Sequence, residues 1–436
     1  MVEPMPAVTP QIPVQRRERV AWCLYDFADS AFTTVIVTTF YVLYFKSVVV
    51  GQAGLGDWYW ALANSLSAVV VALLAPLLGA MADMSGNKRL YLRGFGLVII
   101  VFTASLALVG PGDVVAGMVL FMLANIGFAG GVIFIDAFLP ELAAPGRTGR
   151  LSGARWGVGY VGGMLCLATI IPLASGGFAP GNLTAARSVF PVVALWYAVF
   201  SLPAFLILRD RGDKVVLPAG ESVILVGFRR LGTTFRSIRR YRQLFKFLLA
   251  FWLYNDAIVT IIIFAAAFAA DSLHFTVTEN LLLILCVNLP AAAGSLAFGS
   301  LLDRLGAKRT VMLTLILWLG VIVATLLTSS KAAFFGVAAL AGIGLGSCQS
   351  SSRALLAQFT PPNRAGEFFS FLGVAGKVSA IMGPLVFGWV SVRTGSQRLA
   401  VLAVGLFFLA GLLVLATVDE EAGMAAARGP DPGHEC

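Results

Sequence analysis

Long apolar runs alternate with short polar connections along the whole chain, and that pattern predicts helices crossing a membrane. Twelve runs stand out, at roughly 20–45, 58–82, 90–110, 113–138, 155–176, 188–208, 244–270, 279–302, 309–328, 331–357, 366–392 and 397–418. Each approaches or exceeds the ~20 residues that an α-helix needs to cross the hydrocarbon core. Composition agrees: 58% of the 436 residues are hydrophobic and 12% are charged, against roughly 25% charged in an ordinary soluble domain. The fold class expected is all-α, with twelve transmembrane helices.

Self-similarity then divides the twelve into two bundles. Leu24-Tyr25-Asp26 in the first run is echoed by Leu253-Tyr254-Asn255-Asp256 in the seventh. Gly79-x-x-x-Asp83-x-x-Gly86-x-Lys88-Arg89 after run two recurs as Gly299-x-x-x-Asp303-x-x-Gly306-x-Lys308-Arg309 after run eight. Arg147-Thr148-Gly149 recurs as Arg364-Ala365-Gly366. The offsets, 229, 220 and 217 residues, are near enough to constant for two six-helix halves. The expected domains are a tail (1–19), a first bundle (20–208), a linker (209–243), a second bundle (244–418) and a disordered tail (419–436). The linker's basic and apolar residues from Phe228 to Arg242 alternate at helical spacing, which predicts an amphipathic helix on an anionic membrane surface.

Charge supplies orientation. Of the 31 Lys and Arg, 25 fall in the two tails and even-numbered connections, Arg155 among them, and five, including Lys46, in odd-numbered ones. The bias places both termini in the cytoplasm of a cell (inner) membrane, and it explains the net charge of +9 without nucleic acid. Five cysteines without ligand spacing and two histidines leave no metal or disulfide framework to expect. No phosphate loop or nucleophile–base set occurs either, so neither an enzyme nor a cofactor is expected.

The chemistry lies in the few charges inside the runs. Asp26 and Asp29 are three apart in the first run, with Trp22 and Thr33 a turn either side, and read as one polar stripe facing a cavity. Asn255 and Asp256 with Tyr254 are the second half's answer, and Tyr25 borders the first. A charge at membrane depth costs about 2.5–3.5 kcal/mol on insertion scales, so it needs a partner or a task. Lys377, in run eleven, is expected to pair with Asp256 or Asp29. Glu141, Arg353 and Glu367, near the ends of their runs, read as salt bridges that hold a gate.

The repeated loop resembles the signature loop of the major facilitator superfamily. That resemblance makes Gly79, Asp83, Gly86, Lys88 and Arg89, with Asp303, Arg304, Gly306 and Arg309, latches that break as the halves rock. Trp22-x-Leu24-Tyr25-Asp26-x-Ala28-x-Ser30-Ala31-Phe32, Phe138-Leu139-Pro140-Glu141-Leu142-Ala143, Gly157-x-Gly159-Tyr160-x-Gly162-Gly163, Ser352-Arg353 and Glu367-Phe368-Phe369 narrow the likeness. Together they resemble the vacuole-effluxer-like, or unknown major facilitator, branch. The resemblance implies a secondary transporter working by alternating access, with amino acids as the substrate class; the alternatives are efflux of amphiphilic compounds and a non-transporting sensor or scaffold. Protons are the expected coupling ion, shared among Asp26, Asp29 and Asp256. Asp29, and Asp136 before the Pro140-Glu141 motif, depart from the branch's pattern and add carboxylates.

Overall fold

The computed structural model describes residues 14–84, 87–142, 148–211, 241–359, 372, 375–376 and 378–428. No strand occurs among them, and the helices follow the apolar runs in order. The first run is one continuous path, Arg16–Val50, in which α1 (Arg16–Ala31) and α2 (Phe40–Tyr44) are each followed by a π-helical turn. The Thr38 and Thr39 hydroxyls donate to the Thr34 carbonyl at 2.8 and 2.7 Å, which satisfies a group that the wider turn releases. The first half continues with α3 (Ala53–Met84), α4 (Lys88–Ser105), α5 (Val114–Asp136), the short α6 (Leu139–Leu142), α7 (Thr148–Ala174) and α8 (Leu183–Ile207). The second comprises α9 (Arg242–Leu273), α10 (Val277–Leu305), α11 (Ala307–Leu327), α12 (Lys331–Gln358), α13 (Met382–Thr394) and α14 (Gln397–Ala416). Ten of the described helical spans are long and apolar enough to cross a membrane. The other two runs are represented by α10, with a shorter apolar stretch at Val277–Ala291, and by α13, because run 366–392 is described only in part.

Leucines on the outer faces, such as Leu108, Leu289 and Leu327, are 81%, 75% and 79% exposed. Leucines turned outward on helix after helix are what lipid requires and water penalises. The chain is therefore a multi-pass integral membrane protein. Within each half the first helix is central: α1 packs on α7 and α8, and α9 on α14. Between halves, α3 lies along α13 and α7 meets α10.

Small residues bring α1 and α7 together, as the glycine run in the fifth span predicts. A Cβ built on Gly162 would lie 2.6 Å from the Phe27 Cα, and one on Gly163 would lie 3.2 Å from the Ser30 carbonyl oxygen. Gly157, by contrast, has nothing within 4 Å. Gly162→Val is expected to destabilise the protein by about 1–3 kcal/mol through overpacking, while Gly157→Ala leaves it unchanged. Thermal unfolding of the two variants in detergent checks this; equal melting would show that the close approach carries no stability.

The tail departs from expectation. Residues 420–428, read from composition as disordered, form α15 (Glu420–Arg428). The Asp419 carboxylate accepts from the Ala422 N–H at 3.0 Å, Glu420 and Glu421 occupy the first turn, and Gly423 sits against the Phe359 ring. A capping aspartate and acids at a helix N-terminus stabilise even a short helix, and composition alone does not register them. The surface helix predicted in the linker falls on residues 212–240, outside the described residues.

Candidate functional site

Three polar groupings sit inside the bundle. The first surrounds Arg155, seven residues into α7 and only 7% exposed. Its Nε donates to Asp26 Oδ1 at 3.1 Å, one terminal nitrogen pairs with Asp136 at the end of α5, and its guanidinium stacks on the Trp22 ring at 4.8 Å. Trp22 is itself fixed by its indole N–H, which donates to the Ile135 carbonyl at 2.7 Å. One cation thus ties α1, α5 and α7 through two carboxylates.

Asp29 lies a turn deeper and is 3% exposed, and neither of its oxygens has a hydrogen-bond partner among the described residues. The Tyr197 hydroxyl, from α8, donates instead to the Tyr25 hydroxyl at 2.6 Å. The expected single stripe therefore splits. Residues three apart on a helix differ by about 60° in direction, enough to turn Asp29 into the first half's interior while Asp26 stays partly open beside Arg155.

The second grouping occupies the middle of α9. Asn255 donates to the Ser379 hydroxyl at 2.5 Å and accepts from the Gln349 amide at 3.2 Å. Asp256 is fully buried; one oxygen accepts from the Gly383 N–H at 2.9 Å and the other has no partner among the described residues. Tyr254 shares a 2.7 Å hydrogen bond with Ser352 of α12. Each of these contacts stays within the second half, so the structure does not bring Asp26 or Asp29 to Asp256. Lys377, expected to bridge them, lies outside the described residues.

The third grouping lies at the end opposite the termini. Lys46 is 4% exposed and bonds Asp57 at 2.5 Å and, across the halves, Asp271. Asp57 also accepts from Ser391 at 2.5 Å and from Gln397 at 2.7 Å, and Gln397 donates to Asp271 at 2.8 Å. With the Ser65 hydroxyl donating to the Ile381 carbonyl at 2.9 Å, these contacts join α3 to the second half.

The described members of the repeated loop make their contacts inside their own halves. Lys88 pairs with Glu141 at 2.6 Å, and Arg89 donates to the Leu208 carbonyl at 3.2 Å. In the repeat, Lys308 reaches the Ala416 and Val418 carbonyls at 3.1 and 2.6 Å, while Arg309 is exposed. Cations on the last carbonyls of α8 and α14 satisfy groups that a helix end leaves bare. Gly306 takes φ +83, which only glycine adopts easily. Arg353, expected in a salt bridge, stacks instead on Trp156 of the other half at 5.8 Å. Gly79 and Asp83 fall within α3, and Asp303 and Arg304 within α10; the surroundings of their side chains, like Gly86 and Glu367, lie outside the described residues.

Arg155 and the Lys46–Asp271 pair are the residues that sequence reasoning left among loop charges. Arg155 is the first residue of its apolar run, while Lys46 and Asp271 each stand one residue beyond theirs. The signal available was the surplus of carboxylates, because Asp26, Asp29 and Asp136 together call for a cation.

The family model described as "Vacuole effluxer Atg22 like" matches residues 59–428. An uncharacterised MFS-type transporter of Bacillus subtilis (strain 168), YxiO, is 29% identical over 93% of this chain and 95% of its own length. Autophagy-related protein 22 of Pichia angusta is 23% identical over 80% of this chain and 73% of its own. Among solved structures, a D-xylose–proton symporter superposes with a TM-score of 0.70 at 14% identity, covering 93% of this chain and 98% of that one. A single-substitution variant of the nucleoside transporter NupG gives 0.69 at 14% identity over 94% and 99%. Both share the major facilitator fold with this chain.

Proposed function

The chain belongs to the vacuole effluxer Atg22-like family of major facilitator transporters, and from that premise we propose proton-coupled secondary transport of small amphoteric solutes, amino acids first among them. The two halves rock about a central site, with both termini in the cytoplasm of a cell membrane. One observation carries the coupling: the first helix of each half buries a carboxylate, Asp29 or Asp256, that lacks a partner among the described residues on at least one oxygen. A carboxylate isolated from water is costly, so a proton or a moving cation has to meet it during the cycle. Arg155 is the cation at hand in the first half, already shared between Asp26 and Asp136.

Binding falls to Asp26, partly open beside Arg155, and to the buried Asn255 beside the partly open Gln349, with Tyr25 and Tyr254 buried behind them as rigid support. Arg155 and Asp26 present opposite charges to a solute that carries both. The bridge of Lys46 to Asp271 holds the far end shut while the solute exchanges at the terminus end. Purified protein in liposomes with an imposed pH gradient is expected to accumulate an amino acid above equilibrium and to lose that accumulation when a protonophore is added. Accumulation insensitive to the protonophore would remove proton coupling; no exchange of any amino acid would remove the substrate class.

A further inference from the structure

Between the halves at the end opposite the termini is a cavity of about 640 Å³, lined on one side by Leu43, Lys46 and Ser47 and on the other by Asp271 and Phe275, with Phe178 at its rim. That volume lies within the range of small-molecule sites. Its floor is the bridge between Lys46 and Asp271, the ion pair that crosses the halves there.

The charges on that floor do not balance. One ammonium, Lys46, faces two carboxylates, Asp57 and Asp271, leaving a net charge of one negative. The two acids are not equivalent. Asp57 is 1% exposed and has Lys46, Ser391 and Gln397 as partners. Asp271 is 30% exposed and opens on the cavity, with Lys46 and Gln397 on its other side. If Lys46 leaves Asp271, it keeps Asp57 at 2.5 Å and remains neutralised in a buried place. Asp271 is then the carboxylate that needs a new cation. Gln397 brings no positive charge to the floor, since its neutral amide N–H groups serve both acids. Phe178 and Phe275 add apolar ring surface suited to the flank of an organic cation.

We propose that this cavity is a binding site for the ammonium group of an organic solute, held by Asp271. Its arrival displaces Lys46 onto Asp57 and breaks the ion pair between the halves, the first step in parting that end, where Ser391 and Gln397 still hold Asp57. The inference deepens the transport reading and rests on it for the meaning of the parting; the site itself stands on the cavity and its charges.

The experiment titrates the detergent-purified full chain with methylammonium, sodium and acetate, following thermal stability. Methylammonium is expected to stabilise saturably and sodium and acetate to have no effect at the same concentrations. Asp271→Asn is expected to weaken the apparent affinity by about tenfold or more. Ser47→Trp, which fills the cavity from an exposed wall and leaves the bridge intact, is expected to do the same, and it serves if the first variant does not fold. Equal stabilisation by sodium would overturn the organic ammonium assignment, stabilisation by acetate alone would make Lys46 the ligand, and wild-type affinity in both variants would overturn the site. Amino-acid counterflow on the same preparations separates the two ideas. Exchange without methylammonium binding overturns the site and keeps the transporter; saturable binding without exchange keeps the site and overturns the transporter.

Discussion

Asp29→Asn protein in liposomes is expected to lose pH-gradient-driven accumulation, by about tenfold or more, while still exchanging amino acid across the membrane at no gradient. The substitution preserves shape and removes only the ability to take and release a proton. Asp29 is the place to make it because it is 3% exposed and neither oxygen accepts a hydrogen bond of ordinary geometry among the described residues. The hydroxyls of Tyr25 and Tyr197 are occupied with each other at 2.6 Å. An asparagine there keeps the packing and leaves a solute to move down its own gradient alone. Asp256→Asn is expected to impair accumulation likewise from the second half. If both variants accumulate solute as the wild type does, the buried carboxylates have no part in coupling, and a purely structural account of them stands.

Arg155→Met has the larger expected effect on the protein itself. Removing one partner of a buried ion pair costs about 3–5 kcal/mol because the opposite charges stay behind unpaired. Here Asp26, 16% exposed, is the carboxylate left behind, the open Asp136 at 56% adds little to the cost, and the Trp22 ring loses the cation stacked on it at 4.8 Å. The variant is expected to melt well below the wild type. Adding Asp26→Asn and Asp136→Asn to Arg155→Met should restore most of that stability, since a neutral cluster no longer holds buried charge. Transport should not return, because the solute's charged groups then meet none of these residues. Melting of Arg155→Met at the wild-type temperature would mean that water reaches the cluster and screens it, and the binding role given to Arg155 and Asp26 would fall with it.

The two clusters differ in what they join. Arg155 ties helices of one half, so it can act while that half moves as a body. Lys46 joins one half to the other, so any opening at its end must first break its bond to Asp271. Contacts inside a half can be tight without hindering rocking, as the glycine-mediated approach of α7 to α1 illustrates. Contacts between halves have to be exchangeable. An ion pair whose cation keeps a second acid is well suited to that, because no bare buried charge is left when it opens.

Hydropathy alone made the fold legible, because a bilayer demands apolar runs of a set length and satisfies backbone polar groups only within helices. Twelve runs and a repeat near 220 residues were enough to give two six-helix halves, and the short motifs pointed to the family. The titratable residues Asp26, Asp29 and Asp256 were also visible, since any charge inside such a run stands out. What the sequence could not give was partnership. Helices outrun the apolar stretches that announce them: the first continues to Val50 and α9 to Leu273, which turns Lys46 and Asp271 from loop charges into a bridge between the halves. Arg155 was hidden the same way at the edge of its run. The order of residues fixes which groups are costly in a membrane; only the packing of helices from distant parts of the chain decides which of those groups meet, and so which are paired, which are left unpaired and which can change partners.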